Sequence, residues 1–130
     1  MTITLNAAQL GALIQAVADT LDRERDALNA LDAALGDGDH GTAIATAFAE
    51  AASRVAALTD PQPVDVLKTA ALALMNRMGG ASGAIYGTLF LRASTAAAGA
   101  TALGTAEWAA LWRAGLAGVM QRGGAAPGDK

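Results

Sequence analysis

Residues 36–58 read Gly-Asp-Gly-Asp-His-Gly-Thr-Ala-Ile-Ala-Thr-Ala-Phe-Ala-Glu-Ala-Ala-Ser-Arg-Val-Ala-Ala-Leu. The first six residues form an acidic, glycine-rich loop. The remainder places Ile44, Phe48, Ala51, Val55 and Leu58 at intervals of three and four, the stripe of an α-helix that buries one face. A strand would need strict alternation of apolar and polar residues, and no β-branched run with that period occurs anywhere in the chain.

The same helical period extends in both directions. Upstream, Asn6 and Gln9 form a capping pair, and Leu10, Ile14, Val17, Leu21, Leu28, Leu31 and Leu35 follow at helical spacing. They fit one long helix, or two with a bend near Arg23–Asp26, closed by Gly36 as a left-handed cap. Downstream, Asp60-Pro61-Gln62-Pro63 stops the helix of residues 44–58. A third helix runs from Val64, with Leu67, Ala71, Leu74 and Met78 on its apolar face, to Gly79-Gly80. Ser82 is expected to cap a fourth, carrying Ile85, Leu89 and Ala93 and fading into Ala96–Ala100. Thr105 is expected to cap a fifth, with Glu107 in its first turn, Trp108, Leu111, Trp112, Leu116 and Val119 along one face, and Arg122 at its end. The tail from Gly123 is irregular. Roughly a quarter of the residues are Ala, which favours helix and lets helices approach closely. The expectation is one all-α domain over residues 1–130, with no internal repeat or dividing linker.

Composition excludes several classes of function. The net charge of −3 leaves no basic footprint for nucleic acid. There is no cysteine, hence no disulfide framework or thiolate metal site. No apolar run approaches the roughly 20 residues that span a bilayer, and the N-terminus lacks the charged and apolar regions of a signal peptide. A cytoplasmic protein with no membrane partner is expected.

Asp32, Asp37 and Asp39 carry the chemistry. Three carboxylates within eight residues repel one another unless a cation lies between them. Asp37 and Asp39 are two apart in a loop whose glycines at 36, 38 and 41 permit tight backbone conformations. Three hard oxygen donors suit Mg²⁺, which completes its shell with phosphate oxygens and water. The pattern also fits an acidic surface turn ahead of a helix. It does not fit an EF-hand, because Gly41 and Phe48 stand where that loop needs an acid and a bidentate Glu. Gly79-Gly80-Ala81-Ser82-Gly83 joins two helices without a bulky side chain, so its amides can approach a phosphate; it equally fits a tight helix–helix turn, and it lacks the Gly-Lys-Ser/Thr ending of a Walker A loop. His40, the sole histidine, is either a phosphate donor or an exposed loop residue. Trp108 and Trp112, one turn apart, read as core or interface rather than as a stacking platform.

Three segments together resemble the nucleotide-binding L subunit of dihydroxyacetone kinases: Leu31-Asp32 through Gly36-Asp37-Gly38-Asp39-His40-Gly41-Thr42, then Gly79-Gly80-Ala81-Ser82-Gly83-Ala84-Ile85-Tyr86-Gly87-Thr88, then Arg122-Gly123-Gly124-Ala125-Ala126-Pro127-Gly128-Asp129-Lys130. The resemblance implies an antiparallel helical barrel of about eight helices. It implies two Mg²⁺ ions on Asp32, Asp37 and Asp39, bridging the phosphates of ADP or ATP. Gly79, Gly80, Ser82 and Gly83 would cradle those phosphates, with His40, Gly41 and Thr42 beside them. It implies no covalent catalytic residue on this chain, since phosphoryl transfer needs positioning and charge neutralisation. It places dihydroxyacetone on a separate K subunit, held covalently by a histidine this chain lacks. Met1 directly precedes the first helix, which leans towards a free-standing subunit recharged by a phosphocarrier of the phosphotransferase system. The family subunit is longer, so the chain is expected to be its N-terminal portion, with about five of the eight helices. Such a layer should be open, with apolar residues exposed among Leu10, Val17, Trp108, Leu111, Leu116 and Val119.

Two other functions compete. Fatty-acid kinases have a related acidic loop, usually with Thr at the position of His40. A non-catalytic helical module, regulatory or inert, is the other.

Overall fold

The computed structural model describes residues 3–124 and 126–128. Asp129, Lys130 and Ala125, the end of the third segment of resemblance, lie outside the described residues. The described residues are all-α apart from one minimal strand pair. Helix α1 spans Ala7–Arg23, α2 Arg25–Ala33, α3 His40–Ala56, α4 Pro63–Arg77, α5 Gly80–Ala96 and α6 Thr105–Gly123. Strands β1 (Leu5–Asn6) and β2 (Ala102–Leu103) pair antiparallel, Leu5 with Leu103 and Asn6 with Ala102. No helix among the described residues is long and apolar enough to cross a membrane.

Local chemistry explains most of the boundaries. At α1, the Asn6 side chain accepts from the Gln9 N–H and the Gln9 side chain accepts from the Asn6 N–H, both at 2.9 Å, closing two orphan donors reciprocally. At α4, Pro63 occupies the first turn and the Asp65 carboxylate accepts the Gln62 N–H at 2.8 Å. The long N-terminal stripe is two helices, divided at Glu24.

Three expected boundary residues are corrected. Gly36 is not the left-handed residue of its loop; Gly38 is, at φ 78°. Ser82 does not cap α5 and Thr105 does not cap α6: the cap positions are Gly79 and Gly104, both extended, and both helices begin upstream of the expected residue or at it. Both cap residues stand at φ −83°, an extended conformation open to any residue, and neither helix start is closed by a side-chain hydrogen bond.

From α3 onward each helix packs mainly on its sequence neighbour, α3 on α4, α4 on α5 and α5 on α6; α1 packs on α3, its second neighbour, while α2 is laid across α3 and barely touches α1. Short connections make these neighbours antiparallel. The core runs through Leu10, Ile14, Phe48, Val66, Leu67, Leu74, Phe90, Leu103 and Leu111, each large side chain contributing about 1.5–3 kcal/mol by leaving water. Phe48, Phe90, Trp112 and Trp108 continue it as three successive edge-to-face contacts, with centroids 5.9, 5.7 and 5.4 Å apart. The tryptophans are thus packing residues. On α6, Gly115 and Gly118 face α5; a Cβ at 115 would come 2.8 Å from the Leu89 carbonyl oxygen.

α1 and α6 form the edges of this layer and share no interface comparable to the others. Of the residues expected to be exposed there, Leu116 is (56 %), whereas Leu10 and Leu111 are fully covered, by α3 and α5 in turn. The most exposed large apolar residues are instead Leu35 and Leu31, beside the acidic loop.

Candidate metal and nucleotide site

α2 and α3 build the acidic cluster between them. Asp32 lies in the last turn of α2, Asp37 in the connecting loop, and Asp39 at the cap position of α3. One carboxylate oxygen from each lies within 4.8 Å of the others. Asp32 organises the loop: its Oδ2 accepts the N–H groups of Gly38, Asp39 and His40 at 3.0, 3.1 and 3.3 Å. Its other oxygen lies above Gly36, where a Cβ would come within 2.5 Å of it. Gly36 therefore leaves room for a carboxylate, and Gly38 supplies the left-handed turn. Gly41 is buried against the Arg25 carbonyl oxygen, closer than any Cβ permits.

The electrostatics suit a cation. Asp39 is held above the usual carboxylate range, chiefly by the hydrogen bond it shares with Asp37, then by desolvation and by the charges of Asp37 and Asp32. The same shared hydrogen bond holds Asp37 below it. The opposite shifts show two carboxylates whose charges crowd one another, a repulsion that a divalent cation between them would relieve. The donor set, all hard oxygens with one carboxylate already oriented by backbone amides, fits Mg²⁺.

A pH dependence follows. A cation that displaces the proton of Asp39 binds less tightly as pH falls through Asp39's raised value, so affinity should begin to fall at a higher pH than for unperturbed carboxylates. Without a cation, Asp39's stabilising contribution is present at low pH and lost as pH rises through its raised value; Asp37's is present above its ordinary value and lost as pH falls through its lowered one. Calorimetric Mg²⁺ titrations across the acid range check the first statement, and a flat profile would contradict it.

The glycine turn lies at the same end of the layer. α3 and α4 are antiparallel neighbours, so the start of α3 and the end of α4 share one end, and α5 starts there too. Gly79 and Gly80 are exposed, with nothing within 4 Å of a Cβ added at either, and Gly80 is left-handed at φ 61°. No side chain caps α5, so the amides of its first turn are open to an anion. Ser82 lies within that first turn. Gly83 is different: it is buried under the Met78 carbonyl oxygen, again closer than a Cβ permits, and so shapes the turn. His40 begins α3, half-buried; Thr42 is exposed, its hydroxyl accepting from Asn29 at 3.0 Å. The antiparallel return of α6 brings Arg122 and the following glycines towards this end as well. A groove of about 380 Å³ between α1 and α3 lies at the opposite end, lined by Ala7, Gly11, Ala52 and Val55 and by no titratable group.

Sequence reasoning missed Asn29 and the specific task of Gly36. Asn29 was legible in principle, since it stands one turn before Asp32 on the same face of α2.

The chain is similar to known proteins along most of its length. Residues 34–130 match the DAK2 domain. The chain is 33% identical over 128 residues to the ADP-binding subunit DhaL of the PEP-dependent dihydroxyacetone kinase of Escherichia coli, covering 98% of this chain and 61% of that protein. It is 32% identical over 130 residues to the corresponding subunit of kinase 2 of Listeria innocua, covering 98% and 60%. It is 37% identical over 125 residues to mouse triokinase/FMN cyclase, covering 94% of this chain and 21% of that protein. The chain spans about three fifths of the length of the bacterial relatives it matches. By the extent of the domain match, and by the identity that runs along nearly all of its length, the chain belongs to the DAK2 domain family.

Proposed function

We propose that this chain is the N-terminal portion, residues 1–130, of a nucleotide-binding subunit of a dihydroxyacetone kinase. Asp32, Asp37 and Asp39 would hold Mg²⁺, two ions by the family resemblance, against the phosphates of ADP or ATP. The observation that carries this reading is the meeting of three carboxylate oxygens within 4.8 Å at the end of the layer where the first turn of α5 opens. The bacterial relatives, named as ADP-binding subunits, support the choice of nucleotide. Bound Mg²⁺ would neutralise phosphate charge during phosphoryl transfer.

This chain's own residues supply the rest of the site. The amides after Gly79 and Gly80, with the Ser82 hydroxyl, face the phosphates. Gly83 keeps the turn in shape. His40 and Thr42 form the wall opposite, His40 donating to a phosphate oxygen, while Gly41, buried under the Arg25 carbonyl, lets α2 close on α3 behind them. The acceptor, dihydroxyacetone, belongs on a partner K subunit in the cytoplasm, and the relatives named as PEP-dependent favour recharging of bound ADP by a phosphocarrier over exchange with ATP.

Calorimetry with ADP, with and without Mg²⁺, tests the reading. Mg²⁺-dependent binding supports it. No binding by this chain, with binding by a chain extended to the relatives' length, makes these residues an insufficient part of the site. No binding by either leaves a non-catalytic helical module. Gly80→Val probes the turn: a branched residue at φ 61° costs about 1–2 kcal/mol yet meets no neighbour, so ADP affinity should fall about tenfold or more while the thermal midpoint drops only a few degrees. Normal affinity in the folded variant would make the turn purely structural.

A further inference from the structure

α3 is capped from outside, and this has a bearing on the acidic cluster. A Ser, Thr, Asp or Asn at the cap position of a helix commonly uses its side chain to accept an N–H two or three residues on. Asp39 occupies that position in α3, with the residue type best suited to the task, yet its side chain makes no capping hydrogen bond. The amide it would ordinarily take is the Thr42 N–H. Asn29 takes it instead, its Oδ1 accepting at 3.0 Å, while its Nδ2 donates to the Thr42 hydroxyl at 3.0 Å. Asn29 belongs to α2, 13 residues earlier. One turn further along α2, Asp32 accepts the His40 N–H. Two side chains of α2 thus satisfy the first turn of α3, and Asp39 is left to face Asp37 and Asp32.

We infer that Asn29 is a positioning residue for the cation site: by occupying the Thr42 amide it keeps Asp39 from capping its own helix and holds that carboxylate in the cluster. This rests on the reading of Asp32, Asp37 and Asp39 as metal ligands. The geometry supports the coupling in a second way. Gly41 fits beneath the Arg25 carbonyl, and a Cβ there would also come within 2.9 Å of Asn29 Oδ1, so the α2–α3 seam is tight and the Asn29 side chain has a fixed place in it. Asp39 stands at φ −116°, ψ 4°, short of the extended backbone of a side-chain cap; without Asn29, a turn of its ψ towards the extended region brings its carboxylate to the vacated amide and out of the cluster. The helix regains a cap and the cluster loses a ligand.

This exchange sets a stabilising role apart from a positioning one. If Asn29 only stabilised the seam, its removal would lower the thermal midpoint and leave the cation affinity of the folded chain unchanged. If it positions Asp39, affinity falls and the midpoint changes little, because one cap replaces another. Groups that orient metal ligands typically govern 10–100-fold of affinity.

The test counts free Mn²⁺ by electron paramagnetic resonance during titration of the full chain, with circular dichroism recording helix content and midpoint. Asn29→Ala should weaken Mn²⁺ binding about tenfold or more. Asn29→Asp keeps an acceptor for the Thr42 amide and should restore affinity to at least the parent value. Unchanged affinity in a folded Asn29→Ala chain, or equal losses in the Ala and Asp variants, would overturn the proposal. Should the Ala variant fail to fold, Asn29→Leu, of similar size and without an acceptor, replaces it; if neither folds, Asn29 is a structural residue and the proposal falls. Asp37→Asn in the same assay separates the two readings. Its loss of Mn²⁺ binding, with Asn29→Ala unaffected, overturns only the role of Asn29, whereas unchanged binding in Asp37→Asn overturns the cation site itself.

Discussion

Asp37→Asn is expected to weaken Mg²⁺-dependent ADP binding at least about 100-fold while leaving the helical content intact. Groups that merely orient ligands set 10–100-fold of metal affinity, so loss of a ligand should cost no less. The substitution keeps the size of the side chain and removes one of the carboxylates whose oxygens meet within 4.8 Å. Asp37 is fully exposed in the loop and makes no contact with the core, so the fold does not depend on it. The variant also removes the Asp37 carboxylate that contributes most to holding Asp39 high, and residual binding should show a weaker pH dependence than the parent. The measurement is calorimetry at fixed Mg²⁺, checked by far-ultraviolet circular dichroism. Parent-like ADP affinity in the variant, in a chain that otherwise binds, would remove the aspartates from the site.

Gly83→Val should produce the largest loss of stability of any single change at the glycine turn. Two effects oppose each other. Replacing a helical glycine gains up to about 1 kcal/mol from backbone propensity, less for a β-branched residue. Against this, any Cβ at position 83 overlaps the Met78 carbonyl oxygen, a backbone atom that can move only if the end of α4 moves. Overpacking of this kind costs about 1–3 kcal/mol and occasionally more, and here the obstacle is rigid, so the upper end applies. A net loss of about 3 kcal/mol lowers the midpoint of a domain this size by roughly 10 °C. The contrast with Gly80→Val is the informative part. Three residues apart, one substitution should act on stability and the other on ligand binding. Equal thermal losses in the two variants would contradict the packing at Gly83.

The elements that were legible in the sequence are those where one signal dominated. The stripe of Ile44, Phe48, Ala51 and Val55 gives α3 directly, and all four are buried. The capping pair Asn6–Gln9 marks the start of α1 to the residue. The starts of α5 and α6 were misplaced because hydroxyl residues near a helix start compete with glycines for the cap position. Here extended glycines won at 79 and 104. The β1–β2 pair was invisible, since two residues carry no period. Of the candidate site, the three aspartates were legible as a group because charge density in a short segment needs an explanation. The separate tasks of the glycines were not. Gly36 and Gly41 look alike in the sequence, but one clears a carboxylate and the other a helix crossing. That difference arises only when α2 lies across α3.

The β1–β2 pair has a consequence for how the chain folds. Most other contacts join a helix to its first or second neighbour in sequence, so the layer can grow by comparatively short loop closures, each early and fast. The strand pair joins residues 5–6 to 102–103, closing a loop of about a hundred residues whose entropic cost grows as the logarithm of its length. It should therefore form last in refolding, after α5 is in place. During synthesis it must wait until β2 has left the ribosome, by which time α1 to α5 are already emerging in order. In native-state hydrogen exchange, the amides of β1 and β2 should then open at lower free energy than those of α4, which lies in the middle of the layer.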